Sequence, residues 1–237
     1  MRLKNKHILI VGASSGIGTG MIDPFLNEGA KLTLTSRDKS KLDSDQISFN
    51  LDVANQESID AFCKSVDQLD GLVYTPGMVR LFPTKFLNDK HIDEVRIPIF
   101  DGAVKLLAGL LKNKKIKESA SVVFISSISS SFPYKGGAIY TSSKAALETY
   151  SKTFALENAE KGIRANCIKA GLVDTQILEE TKENMPEGMY DKHIAEYPLG
   201  LGEPRDVAMA ALFLLSDESK WITGTEITLD GGLTTGA

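Results

Sequence analysis

With 237 residues, 42% of them hydrophobic and 24% charged, the chain is long enough to bury a large core as one soluble domain. Its formal net charge of −4 gives no overall excess of Lys and Arg, which argues against a nucleic-acid-binding surface. No apolar stretch nears the ~18 residues of a membrane helix, and a strand-like run starts too soon after Met1 to leave room for a signal peptide.

In chain order, His7–Val11 reads as a buried strand, followed by a glycine-rich turn and an amphipathic stretch to about Asn27. Further strands are expected at Lys31–Thr35, Ile47–Leu51, Gly71–Tyr74, Ser121–Ile125, Arg164–Ile168 and Glu226–Asp230. Helical patterns fill 56–67, 88–113, 138–161 and 204–216. Near-continuous apolar strands separated by helices predict an α/β fold: a single doubly wound, Rossmann-type domain over 1–237, with a mostly seven-stranded parallel sheet and helices on both faces. The basic run from Lys112 to Lys117 reads as a solvated helix end rather than a binding patch. The rhythm breaks between Gln176 and Pro198, where a lid or substrate loop and ordinary packing of Met185, Met189 and Tyr190 are both open readings. Cys63 and Cys167 lie in apolar surroundings without metal-ligand spacing, as reduced thiols of a cytoplasmic protein would.

The turn after the first strand is Gly12-Ala13-Ser14-Ser15-Gly16-Ile17-Gly18. Glycines there let the backbone turn sharply and approach a pyrophosphate at a helix N-terminus. By chance such a triplet should occur only about 0.1 times in a chain of this composition; a structural turn without ligand is the alternative. The second strand ends in Ser36-Arg37-Asp38. An acidic residue at that point suits the adenosine ribose hydroxyls, whereas Arg pairs with a 2′-phosphate, so Ser36 and Arg37 favour NADP(H). Asp52, between Leu51 and Val53, is placed either to bind the adenine amino group or to cap the helix that follows.

Tyr140 and Lys144 are four residues apart in a helical segment and so share a face. A phenol with a reference pKa near ~10 needs a neighbouring cation to work as an acid/base at neutral pH; at ~4 Å and an effective dielectric of ~20 that attraction is about 4 kcal/mol. The spacing alone is expected about 0.5 times by chance. Context strengthens it: Ser126 and Ser127 end the fifth strand, where open α/β sheets carry their active sites, and a hydroxyl there can polarise a carbonyl oxygen. Ser129, Ser130 and Ser131 read as loop residues.

These motifs, with Asn166-Cys167-Ile168, Gly171, Ile222-Thr223-Gly224 and Asp230-Gly231-Gly232, resemble the short-chain dehydrogenase/reductases over essentially the whole chain. Within that family the sequence is most similar to the 3-oxoacyl-acyl-carrier-protein reductase branch. The resemblance implies that Ser127 polarises the substrate, Tyr140 is the general acid/base, and Lys144 lowers the Tyr pKa and binds the nicotinamide ribose. It implies that Gly77, Gly171, Val173 and Thr175 border the cofactor, and that the chain forms a homodimer or homotetramer through its two long helices. Several positions depart from the pattern. The family's Asn-Asn-Ala-Gly is Tyr74-Thr75-Pro76-Gly77, its Pro-Gly is Ala170-Gly171, and an Arg-bearing motif is shortened to the run Pro198–Pro204. Anchored on Val104-Lys105-Leu106, an alignment puts Ile99, directly after Pro98, where an Asn usually holds a water beside the lysine.

The expected activity is reduction of a ketone to a secondary alcohol with NADPH and Tyr140 as proton donor, on a small carbonyl compound or a 3-oxoacyl thioester. The alternatives are an alcohol dehydrogenase on a sugar, steroid or other small hydroxyl compound, and a cofactor-binding protein with little catalysis.

Overall fold

The computed structural model describes residues 1–14, 16–42, 45–175, 178 and 189–236. All seven expected strands are present: β1 (His7–Val11), β2 (Lys31–Ser36), β3 (Ile47–Asn50), β4 (Leu69–Tyr74), β5 (Ile116–Ser127), β6 (Arg164–Ala170) and β7 (Glu226–Leu229). They form one sheet in the order β3-β2-β1-β4-β5-β6-β7, every pair parallel. Successive side chains of a strand point to opposite faces, and both faces are covered. Leu9 and Val11 of β1 join a core with α3 (Gln56–Ser65), α4 (Asp89–Arg96), α5 (Gly102–Lys112) and α6 (Ala138–Glu157). Ile8 and Ile10 join the other core, with α1 (Gly16–Thr19), α2 (Ile22–Asn27) and α8 (Pro204–Leu215). A short α7 (Met189–Ile194) precedes α8. The order reverses between β1 and β4, so a crevice opens above their C-terminal ends, where ligands of open α/β sheets bind.

Three elements differ from expectation. The stretch up to Asn27 is two helices, broken at Gly20 and Met21. A Cβ on Gly20 would lie 2.4 Å from Pro204 Cβ, so α8 crosses there. Pro24 then sits in the first turn of α2, where a missing N–H leaves no hydrogen bond unmade. The helix expected over 88–113 is interrupted by a π turn, Ile97–Asp101, because Pro98 has no N–H to continue the ladder; Gly102 N–H reaches back to Ile97 O instead. Finally, β5 begins five residues earlier than its apolar run. Lys117, assigned from sequence to a solvated helix end, is a strand residue paired with Asp70 at 2.8 Å. Ser15 lies outside the described residues, as does most of the expected substrate segment, 176–177 and 179–188, which includes Met185.

Candidate active site

The glycine turn closes on itself by contacts that no side chain could enter. Gly12 and Gly16 have φ of +83° and +51°, conformations that favour glycine. A Cβ on Gly18 would lie 2.3 Å from the Gly12 carbonyl oxygen. Ser14 Oγ accepts a hydrogen bond from Ser36 Oγ at 2.8 Å, joining this turn to the end of β2, and Ile17 packs on the α2–α8 core. Arg37 is exposed, and among the described residues nothing pairs with its guanidinium. Asp38 instead turns its carboxylate onto Ser40, accepting from its hydroxyl (2.7 Å) and its N–H (3.0 Å), which hold the carboxyl below its usual range.

Asp52 accepts the Ala54 N–H at 2.9 Å, between buried Leu51 and Val53. It does not cap α3. That position belongs to Asn55, whose side chain takes the Ser58 N–H, which removes the capping reading of Asp52.

Each residue of the quartet that begins with the last residue of β4, Tyr74, has a separate contact. The buried Tyr74 hydroxyl donates to the carbonyl of Pro98 at 2.6 Å and so braces the π turn. Thr75 Oγ1 donates to Val11 O (2.7 Å) and Gly12 O (3.2 Å), tying β4 to the glycine turn. Pro76 packs on Gly12. At Gly77 a Cβ would come within 3.4 Å of Lys144 Nζ and 3.8 Å of Ile99 Cγ1, so this glycine leaves the lysine its room. Ile99 itself is fully buried.

Ser127, Tyr140 and Lys144 meet at the C-terminal end of β5. Ser127 Oγ accepts two hydrogen bonds, from Ser129 Oγ (3.0 Å) and Ser129 N–H (3.2 Å). A serine oxygen has two acceptor sites and one proton; with both acceptor sites filled, the proton of Ser127 is the part left to offer. Sequence reasoning had assigned Ser129 only to a loop, and its support of Ser127 is visible only in the fold. Burial pushes the Tyr140 phenol above its ordinary pKa, and the Ser127 hydroxyl pulls it part of the way back. Lys144 Nζ lies 5.7 Å from the centre of the Tyr140 ring and donates to Ile125 O at 2.7 Å. Burial brings the lysine down to about 8, opposed by Cys167 and Glu148. Within the π turn, the carbonyl of Pro98 accepts from the Tyr74 hydroxyl.

A family profile described as enoyl-(acyl carrier protein) reductase matches residues 12–234. The chain is 32% identical to a 2,5-dichloro-2,5-cyclohexadiene-1,4-diol dehydrogenase of Sphingobium indicum, over 99% of this chain and 98% of that protein. It is 30% identical to a 3-oxoacyl-(acyl-carrier-protein) reductase of Thermotoga maritima, over 98% of this chain and 99% of that one. The protein is a short-chain dehydrogenase/reductase. The crystal structure of levodione reductase shares the fold, with a TM-score of 0.91 at 23% identity over 100% of both chains. This family consists of oxidoreductases that use nicotinamide cofactors.

The remaining motifs of this short-chain dehydrogenase/reductase divide between the site and the scaffold. Thr175 packs on Gly16, where a Cβ would lie 3.3 Å from Thr175 Cγ2, so the chain after β6 meets the glycine turn. Val173 bridges Gly202 and is buried. Gly171 is needed for close packing, because a Cβ would lie 3.0 Å from the Tyr197 ring and 3.1 Å from Asp230 Cα. Asn166, by contrast, is structural: its amide donates to Ile222 O and accepts from Thr225 N–H, fastening β6 to the segment before β7. Among the described residues no group of His, Cys, Asp and Glu could hold a metal ion, and no helix is long and apolar enough to cross a membrane.

Proposed function

We propose that the protein is an NADP(H)-dependent carbonyl reductase that converts a ketone to a secondary alcohol. The observation that carries this proposal is the hydroxyl pair at the end of β5. Ser127, its oxygen saturated by Ser129, has a proton to donate to a carbonyl oxygen, and Tyr140 beside it is a neutral phenol, the state a proton donor needs. The residues present fit a dinucleotide. Gly12, Ser14, Ser15, Gly16, Ile17 and Gly18 would hold the pyrophosphate, in a turn so tight that Gly12 and Gly18 leave no room for a Cβ. Leu51, Asp52 and Val53 would border the adenine, while Gly77, Gly171, Val173, Thr175 and Lys144 would border the nicotinamide half.

The preference for NADP(H) rests on β2. Among the described residues Arg37 has no partner and Asp38 is spent on its own turn, so a 2′-phosphate would find a cation and Ser36 there. When bound, the nicotinamide supplies hydride to the carbonyl carbon. Ser127 orients the oxygen, Tyr140 delivers the proton to it, and the Lys144 cation stabilises the phenolate left behind. The substrate class extends to 3-oxoacyl thioesters, the reaction named for the Thermotoga relative; the diol dehydrogenase named for the Sphingobium relative supports a second reading, oxidation of a small hydroxyl compound. The assembly proposed is a homodimer or homotetramer through α4–α5 and α6, which light scattering measures.

NADPH consumption against a panel of 3-oxoacyl thioesters, small ketones and, in reverse, cyclic diols tests the activity. Tyr140→Phe should lower turnover at least ~100-fold on any accepted substrate, and full turnover in that variant would remove the proposed acid. Arg37→Leu should weaken NADPH binding about tenfold or more while sparing NADH. Tight NADPH binding with no turnover across the panel would replace the enzyme by a cofactor-binding protein.

A further inference from the structure

Behind the catalytic residues, five charged side chains alternate in sign from the active site to the surface. One helical turn after Lys144 on α6 comes Glu148, whose Oε2 lies 3.6 Å from Lys169 Nζ on β6. Lys169 is 3.3 Å from Glu226 on β7, and Glu226 pairs with Lys152 of α6 at 2.5 Å. Side-chain exposure falls along this run from 55% at Lys152 to 9% at Glu148. Two members also hold neutral groups. Ser126 Oγ donates to Glu148 Oε1 at 2.5 Å, and Lys169 donates to Ser131 Oγ at 2.6 Å. Ser126 directly precedes Ser127, and Ser131 closes the short turn that carries Ser129. Surface ion pairs contribute little, but a buried pair fixes geometry, and removing one partner strands the other charge.

We propose that Glu148 and Lys169 are positioning residues for the Ser127–Tyr140–Lys144 site: they anchor both ends of the turn bearing Ser127, and Glu148 sustains the positive charge of Lys144. This rests on the carbonyl-reductase proposal for its consequence in catalysis, but not for its electrostatics. The other titratable groups around Lys144 and Glu148 are Tyr140 and Lys152 on α6, Cys167 and Lys169 on β6 and Glu226 on β7. From β5 come hydroxyls and the Ile125 carbonyl, and Ile99 approaches from the π turn. Removing Glu148 therefore leaves two buried cations, Lys144 and Lys169, without the carboxylate between them. Removing Lys169 takes from Glu148 its 3.6 Å partner, so its charge acts more strongly on Lys144. The two substitutions have opposite electrostatic signs at Lys144, whereas loss of structural support has only one.

The test is the titration of Lys144 in the full chain labelled with ¹³Cε-lysine, its resonance assigned by its absence in Lys144→Arg. In Glu148→Gln, which keeps an acceptor for Ser126, Lys144 should titrate lower by about half a pH unit or more. In Lys169→Met it should titrate higher, and Glu148→Gln/Lys169→Met should return towards the wild type. Should Glu148→Gln not fold, Lys169→Met and Glu148→Asp carry the same comparison, with a rise expected in the first and a smaller change in the second. Unchanged or same-sign shifts would overturn the proposal, and no substrate is needed to see them. On an accepted ketone, both single variants should lower kcat more than they raise KM, and the alkaline limb of the pH–rate profile should move with the NMR titration. A normal Lys144 titration series with no turnover on any ketone would instead fault the assigned reaction.

Discussion

The two sides of the active-site crevice are held together by opposite means. On the β1–β4 side the parts fit because side chains are missing: a Cβ on Gly12 or Gly18 would collide, Gly16 is held at positive φ, and Thr75 stitches the turn to β4 through carbonyl oxygens. On the β5–β6 side the parts are held by buried charge, with Lys144, Glu148 and Lys169 all under a tenth exposed. A neutral cradle of backbone suits a group that brings its own negative charge. A site that must change protonation needs charges around it, and these carry a cost of burial. The first side should therefore respond to added volume and be indifferent to pH, and the second should do the reverse.

The largest effect is expected from Gly18→Val. Its Cβ would lie 2.3 Å from Gly12 O, a backbone atom that cannot move aside as a side chain would. Overpacking of this kind costs about 1–3 kcal/mol or more. NADPH affinity should fall at least ~100-fold at every pH, read by fluorescence titration, with a lowered Tm. Retained affinity would show that the turn is scaffold and that the dinucleotide lies elsewhere.

On the charged side the corresponding experiment is pH. Lys144 is brought down to about 8 while Tyr140 is raised, so as pH rises through about 8 the lysine loses its proton first. Reduction should decline above that point, approaching ~10-fold per pH unit. Stability runs the other way. Between about 8 and its ordinary value the lysine binds fewer protons folded than unfolded, so its contribution to stability rises with pH there. Lys144→Met should accordingly melt higher than the wild type near pH 7, with the advantage shrinking towards pH 10. A gap that does not depend on pH would mean that burial does not penalise this lysine.

The contrast also marks what the sequence could disclose. Inner strands such as β1 and β4 were legible because burial on both faces leaves near-continuous apolar runs, β3 and β7 are part-exposed edges legible from their alternation with helical patterns, and the glycine turn was legible because its spacing is rare. β5 was read too short because the basic run to Lys117 looks like a solvated helix end, although Asp70 pairs Lys117 within the sheet. Asp and Asn are both residue types that cap helices, and only the backbone geometry chose Asn55 over Asp52. Glu148, Lys169 and Glu226 were passed over for a general reason: a charged residue in a sequence looks like a solvated one until its partner, dozens of residues away, is beside it. Ser129 is legible only once the turn brings both its N–H and its hydroxyl to Ser127 Oγ.

The smallest expected effect lies where the two sides touch, at the hydroxyl of Tyr74. Its ring packs 6.4 Å from Phe124 in the core, and its hydroxyl donates to the carbonyl of Pro98, in the π turn that sets Ile99 beside Gly77 and Lys144. Tyr74→Phe keeps the ring and removes only that bond, so a buried carbonyl is left without this donor, at about 1 kcal/mol. For a chain of this length the expected loss is about 2–4 °C in Tm. Because Ile99 is held by the helix as well as by the brace, kcat should fall no more than about threefold. A much larger loss of kcat with an unchanged Tm would invert the comparison, for it would make a neutral hydroxyl, rather than the buried charges, the element that sets Lys144.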